Sequence, residues 1–347
     1  MARGEAPLSL MLSEALEGPA AVARLIAANV APCRALAERL RAAPPRFVVT
    51  CARGSSDSAA TYAKYVIELS LGIVVASVGP SISSVYGAKL DMRDALFIAI
   101  SQSGRSPDLL ALAKMARDDG ALTVAIVNDA GSPLADLCEV VLPLHAGPER
   151  SIAATKSYLA SLAAVLQVVA TWRGDRALNA AVEGLPAVLT SAAALDWTAA
   201  LKKLAEASNI YVVGRGVGYA AAQEVALKLK ETGGLHAEAL SGAELIHGPM
   251  ALASAEFPVL FVGQDDESLP QLRDTAAALA RRGVPVMMAV PDESHIGQPL
   301  PVIAGLHPFA QPVAAVQSFY GFADAVARAR GHDPDQPPHL RKVTETR

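Results

Sequence analysis

The chain has 347 residues, of which 52% are hydrophobic, and its formal net charge is −4. This length has room for roughly two domains of ordinary size, each with its own core. Much of the hydrophobic content is alanine, spread among charged residues at helical intervals, which predicts a soluble protein rich in helix. The charge balance and the lack of a basic run argue against a nucleic-acid-binding surface.

Several other classes of protein and site have no support in the sequence. The longest uncharged stretch, residues 157–172, is shorter than the roughly 20 apolar residues of a membrane span. The N-terminus carries Arg3, Glu5 and Glu14 instead of the apolar core of a secretion signal, so we expect a cytoplasmic protein without a membrane partner. The three cysteines form no CxxC pair and the seven histidines show no HExxH spacing. We therefore expect neither a metal nor another cofactor.

The first segment in chain order, residues 1–45, has a helical pattern that ends at Pro44-Pro45. No strand precedes or interrupts it. We predict a helical arm that packs against the rest of the protein.

The chain then contains one pattern twice. Arg53-Gly54 follows an apolar run, and Arg215-Gly216 follows another run at an offset of 162 residues. Residues 97–102 and 259–264 keep this offset. Two copies of one domain are therefore predicted.

Within each copy, short apolar runs alternate with helical patterns. Residues 95–100 and 123–127 predict strands, and residues 108–118 predict the helix between them. Strands without polar alternation, separated by helices, indicate a parallel sheet covered on both faces. We predict an α/β fold with two tandem domains, residues 46–190 and 191–330, each a flavodoxin-like three-layer sandwich of a parallel sheet flanked by helices.

Two serine loops, residues 54–56 and residues 101–106, follow predicted strands of the first domain. In a parallel sheet both loops lie at the carboxyl edge, where ligands bind. The second loop contains Gly104 and leads into a helix at Pro107, and hydroxyls beside a glycine turn at a helix N-terminus suit a phosphate monoester. One such loop alone more often supplies only turn and cap residues, but two on neighbouring strands favour a phosphate site. The predicted phosphate-binding residues are Ser55, Ser56, Ser101, Gln102, Ser103 and Ser106.

The equivalent loop of the second domain has a different character. It contains Asp265, Asp266 and Glu267, whose carboxylates would repel a phosphate. We therefore predict that the first domain binds the anion and the second does something else. The glycines around Arg215 do not match a dinucleotide fingerprint, because Tyr219 occupies the position of the third glycine.

Titratable residues of the second domain are candidates for proton transfer. Glu224, Lys228 and Glu231 lie on one face of a helix predicted at residues 223–232. On spacing alone a surface ion pair is the simpler interpretation, but the apolar residues between them indicate a buried helix. His247 precedes a Gly-Pro turn, and a carboxylate with an imidazole is the usual pair for moving protons at a sugar carbonyl and its ring oxygen.

The last segment, residues 331–347, is polar and rich in proline, and in isolation it would be disordered. It contains Lys342, which on its own is equally well interpreted as a solvated charge. A lone histidine in a turn, such as His247, is likewise more often structural than catalytic.

A set of ordered motifs links these observations. They are Ser101-Gln102-Ser103-Gly104, Ala154-Thr155-Lys156, the segment 227–231, His236-Ala237-Glu238 and the segment 244–249. Together with the tail they resemble the isomerase half of glucosamine-6-phosphate synthase, which consists of two sugar-isomerase (SIS) domains. The resemblance covers the chain from about residue 45 to residue 347.

This resemblance implies a role for each candidate residue. Glu231 would move a proton between C1 and C2 of the sugar, and Lys228 and Glu224 would support that transfer. His247 would assist ring opening in the neighbouring subunit of a homodimer. Lys342 would form a Schiff base with the open-chain ketose, and a tail closing over the site would explain why a polar, proline-rich segment is ordered.

Two departures from the synthase pattern bear on the expected reaction. The synthase carries an N-terminal glutaminase domain, whereas here the first serine loop is reached by residue 55, and the tail is one residue shorter after Lys342. This layout is more similar to stand-alone SIS proteins, some of which are glucosamine-6-phosphate deaminases. We therefore expect conversion of glucosamine 6-phosphate to fructose 6-phosphate and ammonia. The alternatives are an isomerase or deglycase for another phosphosugar, such as galactosamine 6-phosphate or a fructosamine-type adduct, and a non-catalytic sugar-phosphate sensor.

Overall fold

The predicted apolar runs form the strands of two parallel sheets in the computed structural model, which describes residues 7–291 and 295–342. The third strand, Ala95–Ser101, shows why these runs lack polar alternation. All of its residues are buried, as expected of a strand that helices cover on both faces.

The first half of the chain contains the helical arm and then five strands with their helices. The helices of the arm are α1 (Leu10–Leu16), α2 (Gly18–Ala28) and α3 (Val30–Ala42). The strands are β1 (Phe47–Cys51), β2 (Val75–Ser77), β3 (Ala95–Ser101), β4 (Leu122–Val127) and β5 (Val140–Pro143). The helices of this half are α4 (Ser55–Leu71), α5 (Ser81–Ser84), α6 (Pro107–Asp118), α7 (Pro133–Leu137), α8 (Lys156–Arg173) and α9 (Arg176–Ala193).

The second half repeats this alternation of strands and helices. Its strands are β6 (Asn209–Gly214), β7 (His236–Ser241), β8 (Val259–Val262), β9 (Val286–Ala289) and β10 (Gln298–Pro299). Its helices are α10 (Leu201–Glu206), α11 (Gly218–Gly233), α12 (Gly242–Ile246), α13 (Leu269–Arg281) and α14 (Gln311–Ala329). Short 3-10 turns lie at Thr198–Ala200 and Pro249–Leu252.

Both sheets are parallel and have the same strand order. The first runs β2-β1-β3-β4-β5 and the second runs β7-β6-β8-β9-β10. Val49 of β1 lies beside Phe97 of β3, and Val212 of β6 lies beside Leu260 of β8. This is the flavodoxin-like order, in which ligands bind where the strand order reverses, beside the first strand. The predicted α/β fold with two parallel sheets is confirmed.

The predicted domain borders stay predictions. The helices of the arm end at Ala42, and residue 190 lies inside α9. The predicted arm and tail extend to residues 1–6 and 343–347, which lie outside the described residues.

One hydrophobic core joins the inner faces of the two sheets. It contains side chains of β1 and β6 together with α4, α8, α11 and α14, while two smaller clusters lie under α6 and α13 on the outer faces. Helix α8 has all but two of its 18 residues buried. It contains the uncharged stretch 157–172, so this stretch is apolar because it lies inside the protein.

Within residues 7–291 and 295–342, no single helix is long and apolar enough to cross a membrane. Two pairs, α2 with α3 and α9 with the segment Thr198–Glu206, reach that length and composition only when they are joined across bends of 57° and 48°.

The tail packs on the helical arm. The Asp335 carboxylate accepts hydrogen bonds from the backbone N–H groups of Leu10 and Met11, at 2.7 and 2.9 Å. Ser9, at the start of the arm, donates to Asp324 of α14 at 2.5 Å. The two bonds to Asp335 satisfy free N–H groups at the start of α1 and give the polar tail a fixed path. The tail then reaches the carboxyl edge of the first sheet at residues 340–342.

Candidate functional site

A cavity of about 320 Å³ opens at the carboxyl edge of the first sheet. Its walls come from the two serine loops, the segment before α8, the side chain of Glu231 on α11, and the tail. All six residues predicted to bind phosphate line it: Ser55, Ser56, Ser101, Gln102, Ser103 and Ser106. The loops after β1 and β3 therefore face one common space, as neighbouring parallel strands require.

The second serine loop keeps its hydroxyls available. Ser106 lies at the predicted N-cap position of α6, but its side chain makes no capping hydrogen bond. Ser101 Oγ accepts a hydrogen bond from the backbone N–H of Gly104 at 3.0 Å, which leaves its own O–H free to donate. These groups surround the N-terminus of α6, which itself favours an anion.

Gly104 is required at this turn. Its φ is +63°, in the region that favours glycine, and a Cβ there would lie 2.1 Å from Ser132 Oγ. A larger residue would have to displace Ser132, which caps α7, and the loop with it.

Charged side chains give the cavity a positive balance. Among its lining residues, Arg53, Arg341 and Lys342 are cationic and Glu231 is acidic. Arg53 and Lys342 are paired with the carboxylates of Asp108 and Glu149, which do not line the cavity, so a ligand there meets the cations first.

Glu224, Lys228 and Glu231 form a connected group on α11. Lys228 Nζ lies 2.6 Å from Glu231 Oε2 and 3.4 Å from Glu224 Oε1, and it donates to Ser55 Oγ at 3.0 Å. The surface-helix interpretation is wrong, because Glu224 and Lys228 have no exposed surface. Glu231 is partly exposed, and of the three it lines the cavity.

Burial and neighbouring charges shift the pKa of both inner groups. Burial raises the pKa of Glu224 to about 7, against the opposing effect of Lys228. Burial alone would lower the pKa of Lys228, but Glu224 and Glu231 outweigh it and raise that pKa above its ordinary value. Lys228 therefore stays an ammonium ion at neutral pH and can hold Glu231 by charge.

Lys342 also lines the cavity, and its partner is Glu149, which no sequence motif predicts. Lys342 Nζ donates to Glu149 Oε2 at 3.1 Å. The buried Glu149 carboxylate also accepts from the backbone N–H groups of Thr155 and Ser157 and from the Ser157 hydroxyl, at the start of α8. Desolvation would raise the pKa of Glu149, but Lys342 and these hydrogen bonds lower it below its ordinary value. Glu149 is thus a fixed negative charge that holds the tail lysine at the cavity.

His247 does not line this cavity. It is exposed at the C-terminal end of α12, and its backbone N–H donates to Glu244 O at 3.0 Å. A single chain therefore does not bring His247 to Glu231, and its assignment to a neighbouring subunit stays a prediction.

The equivalent loop of the second domain is filled by its own side chains. Asp266 Oδ1 accepts from the backbone N–H and the hydroxyl of Ser268, at 2.8 and 2.5 Å. Asp266 Oδ2 accepts from the buried Gln264 Nε2 at 2.7 Å. A carboxylate of the protein thus uses donors like those that line the cavity of the first domain. No three His, Cys, Asp or Glu side chains are grouped as a metal site in the part of the chain that the structure describes.

A known protein family matches the chain in two segments, one in each half of the fold. The profile of the SIS domain family matches residues 43–171 and 203–296. A glutamine–fructose-6-phosphate aminotransferase [isomerizing] from Aeropyrum pernix is 33% identical over 96% of this chain and 56% of the relative. The chain therefore spans a little over half the length of that curated relative.

Two solved structures are similar over nearly the whole chain. A candidate phosphosugar isomerase from Silicibacter pomeroyi superposes with a TM-score of 0.90 at 40% identity, covering 94% of this chain and 100% of that one. The C-terminal domain of glucosamine-fructose-6-phosphate aminotransferase from Francisella tularensis gives a TM-score of 0.85 at 27% identity, covering 97% and 100%.

Glu149→Gln should loosen the tail while leaving the serine loops intact, because an amide removes the charge that pairs with Lys342. We expect trypsin to cleave after Arg341 and Lys342 roughly tenfold faster in this variant than in the unmodified protein, as followed by mass spectrometry. Glu139→Gln, which removes an exposed ion pair with Arg39, is the matched control and should leave cleavage unchanged.

The same contact predicts a pH dependence in the unmodified protein. Because folding lowers the pKa of Glu149, the contact with Lys342 is fully present above the ordinary pKa of a glutamate and is lost as the pH falls through the lowered value.

Equal cleavage of the Glu149→Gln variant and the unmodified protein by trypsin at neutral pH would contradict the role of Glu149 in holding the tail.

Proposed function

This chain belongs to the SIS domain family, and we propose that it is an enzyme that converts glucosamine 6-phosphate to fructose 6-phosphate and ammonia. One observation carries the proposal. In a single cavity, hydroxyl donors at two helix N-termini face the carboxylate of Glu231 and the amine of Lys342. The name of the relative described above gives fructose 6-phosphate as a substrate and isomerisation as part of its reaction, which supports the same sugar here.

The phosphate group is the anchor of the substrate. Hydroxyls of Ser55, Ser56 and Ser103 line the cavity together with the amide of Gln102, and helices α4 and α6 begin at these loops. All four of these donors are neutral, so they add hydrogen bonds to an anion without adding charge. Binding energy from the phosphate can then hold the sugar carbons in place for reaction.

Glu231 is the proposed proton carrier. Lys228 holds its carboxylate at 2.6 Å, and Lys228 keeps Glu224 as a second partner at 3.4 Å. When Glu231 gains a proton and loses its charge, the buried ammonium of Lys228 is therefore not left unpaired. This arrangement lets Glu231 alternate between base and acid.

The reaction balances with one water molecule. Once the ring has opened, Glu231 takes the proton from C2 of the aldehyde and returns it to C1, while one proton of the amino group passes to O1, which leaves a hydroxyl on C1 and an imine at C2. Water adds to C2, and ammonia leaves with the electrons of the carbon–nitrogen bond. One fructose 6-phosphate and one ammonia are formed from each glucosamine 6-phosphate and water.

Lys342 and His247 complete the proposed site. Lys342 is held beside the cavity by Glu149. Once its ammonium group has given a proton to solvent, its amine can add to the carbonyl carbon of the open-chain ketose and form a Schiff base with release of one water molecule. His247 is exposed, and in the proposed homodimer it assists ring opening in the neighbouring subunit.

Glu231→Gln should abolish ammonia release, because an amide cannot carry the proton between C1 and C2. We expect kcat to fall by about 10²–10⁴-fold in an assay that couples ammonia to glutamate dehydrogenase. Glu183→Gln, at an exposed position on α9, is the matched control and should keep full activity. Fructose 6-phosphate binding without any ammonia release from glucosamine 6-phosphate by the unmodified protein would contradict the proposal and leave a sensor or an enzyme for another phosphosugar.

The placement of His247 predicts that two inactive variants complement each other. In a heterodimer of Glu231→Gln and His247→Ala chains, one of the two sites receives both intact groups if the histidine crosses between subunits. Heterodimers purified with two different tags should have about half of the unmodified activity per dimer, whereas each homodimer should be inactive. An inactive heterodimer would contradict the shared site.

A further inference from the structure

Arg53 is a part of the cavity that the proposed function does not use. It follows β1 and lines the cavity beside Ser55 and Ser56. Its Nε and Nη2 donate to Asp108 Oδ2 at 3.0 and 2.8 Å. Asp108 belongs to the first turn of α6, and its side chain is 1% exposed. Arg53 therefore connects the first serine loop, which follows β1, with α6, which begins directly after the second serine loop.

Asp108 orients the guanidinium without using all of its donors. A guanidinium has five N–H groups in one plane, and both bonds from Arg53 go to a single oxygen of Asp108. The other oxygen accepts from the backbone N–H of Leu109 at 2.9 Å. Arg53 Nη1 makes no hydrogen bond to any residue in 7–291 or 295–342, so its donors remain for a ligand in the cavity.

The second domain provides an internal comparison. Arg215 occupies the position equivalent to Arg53, but Gln271 stands where Asp108 would be when Pro270 is matched to Pro107. Arg215 makes no ion pair with a residue that the structure describes. The anchored arginine therefore occurs in the domain with the serine loops, and it is missing where Asp266 fills the equivalent loop.

We propose that Arg53 is a phosphate-binding residue that donates from Nη1 to the phosphate of the sugar. The inference rests on the phosphate site of the proposed function and is independent of the reaction that follows binding. The serine hydroxyls are neutral donors, whereas a guanidinium forms a charge-assisted hydrogen bond that favours the doubly charged phosphate monoester. Asp108 is a positioning residue, because it holds the plane of the guanidinium towards both loops.

Calorimetric titration with fructose 6-phosphate tests this role directly. Arg53→Gln should weaken binding about tenfold or more, the usual effect of losing a hydrogen bond to a charged group. Arg105→Gln is the matched control, because Arg105 lies in the second serine loop but outside the cavity lining, half-exposed and paired with Asp129 at 2.8 Å. It should bind within about twofold of the unmodified protein.

A second variant separates the effect of the planar guanidinium group from the effect of its positive charge. Arg53→Lys keeps the positive charge but lacks the planar fork, so we expect affinity between those of the unmodified protein and Arg53→Gln. If Arg53→Gln does not fold, a decrease of at least about threefold in the affinity of Arg53→Lys for fructose 6-phosphate would support the role of Arg53. Unchanged affinity in the folded Arg53 variants, or equal losses in Arg53→Gln and Arg105→Gln, would overturn the inference. If Arg53→Gln weakens binding but the unmodified protein releases no ammonia from glucosamine 6-phosphate, Arg53 is still a phosphate-binding residue and only the proposed reaction is rejected.

Discussion

The site depends on a positive charge buried where the helices of the two sheets meet. Lys228 has no exposed surface, and Glu224, Glu231 and Ser55 satisfy its ammonium group. A buried charge that loses its partner costs several kcal/mol, so these side chains hold one another in place. Because Ser55 belongs to a serine loop and Glu231 lines the cavity, the same charge fixes the distance between that loop and the carboxylate.

The two sheets show how one backbone supports two different tasks. Their strand orders are identical, but the loop after β3 turns at Gly104 and opens to the cavity, whereas the loop after β8 is filled by Asp266 and Gln264. The first sheet therefore leaves its donors open to the cavity, and the second satisfies its donors internally. The second sheet contributes instead through α11, which carries Glu231 to the cavity of the first.

Much of this arrangement was predictable because it depends on local patterns. Apolar runs without alternation marked the buried strands, and the serine loops followed from the direction of parallel strands. Helical spacing placed Glu224, Lys228 and Glu231 on one face, and their apolar neighbours indicated burial. The depth of that burial also depends on α4 and α14, which pack against α11 from distant parts of the chain.

The missed residues share a physical reason. Glu149 meets Lys342 across 193 positions, and Arg53 meets Asp108 across 55. Glu149 caps α8 from outside the usual capping positions, so no spacing in the sequence marks it. His247 differs again, since its proposed role depends on a second chain, and no pattern within one chain fixes where a subunit contact brings it.

The central claim is that one sugar phosphate is held between the serine loops and the carboxylate of Glu231. A crystal structure of the Glu231→Gln variant with glucosamine 6-phosphate measures this directly, because turnover of the substrate is strongly slowed. We expect the phosphate within hydrogen-bond distance of Ser55 and Ser103, and C2 about 3.5 Å from the side chain at position 231. A phosphate bound at residues 263–268, or a sugar whose C2 lies away from position 231, would contradict it.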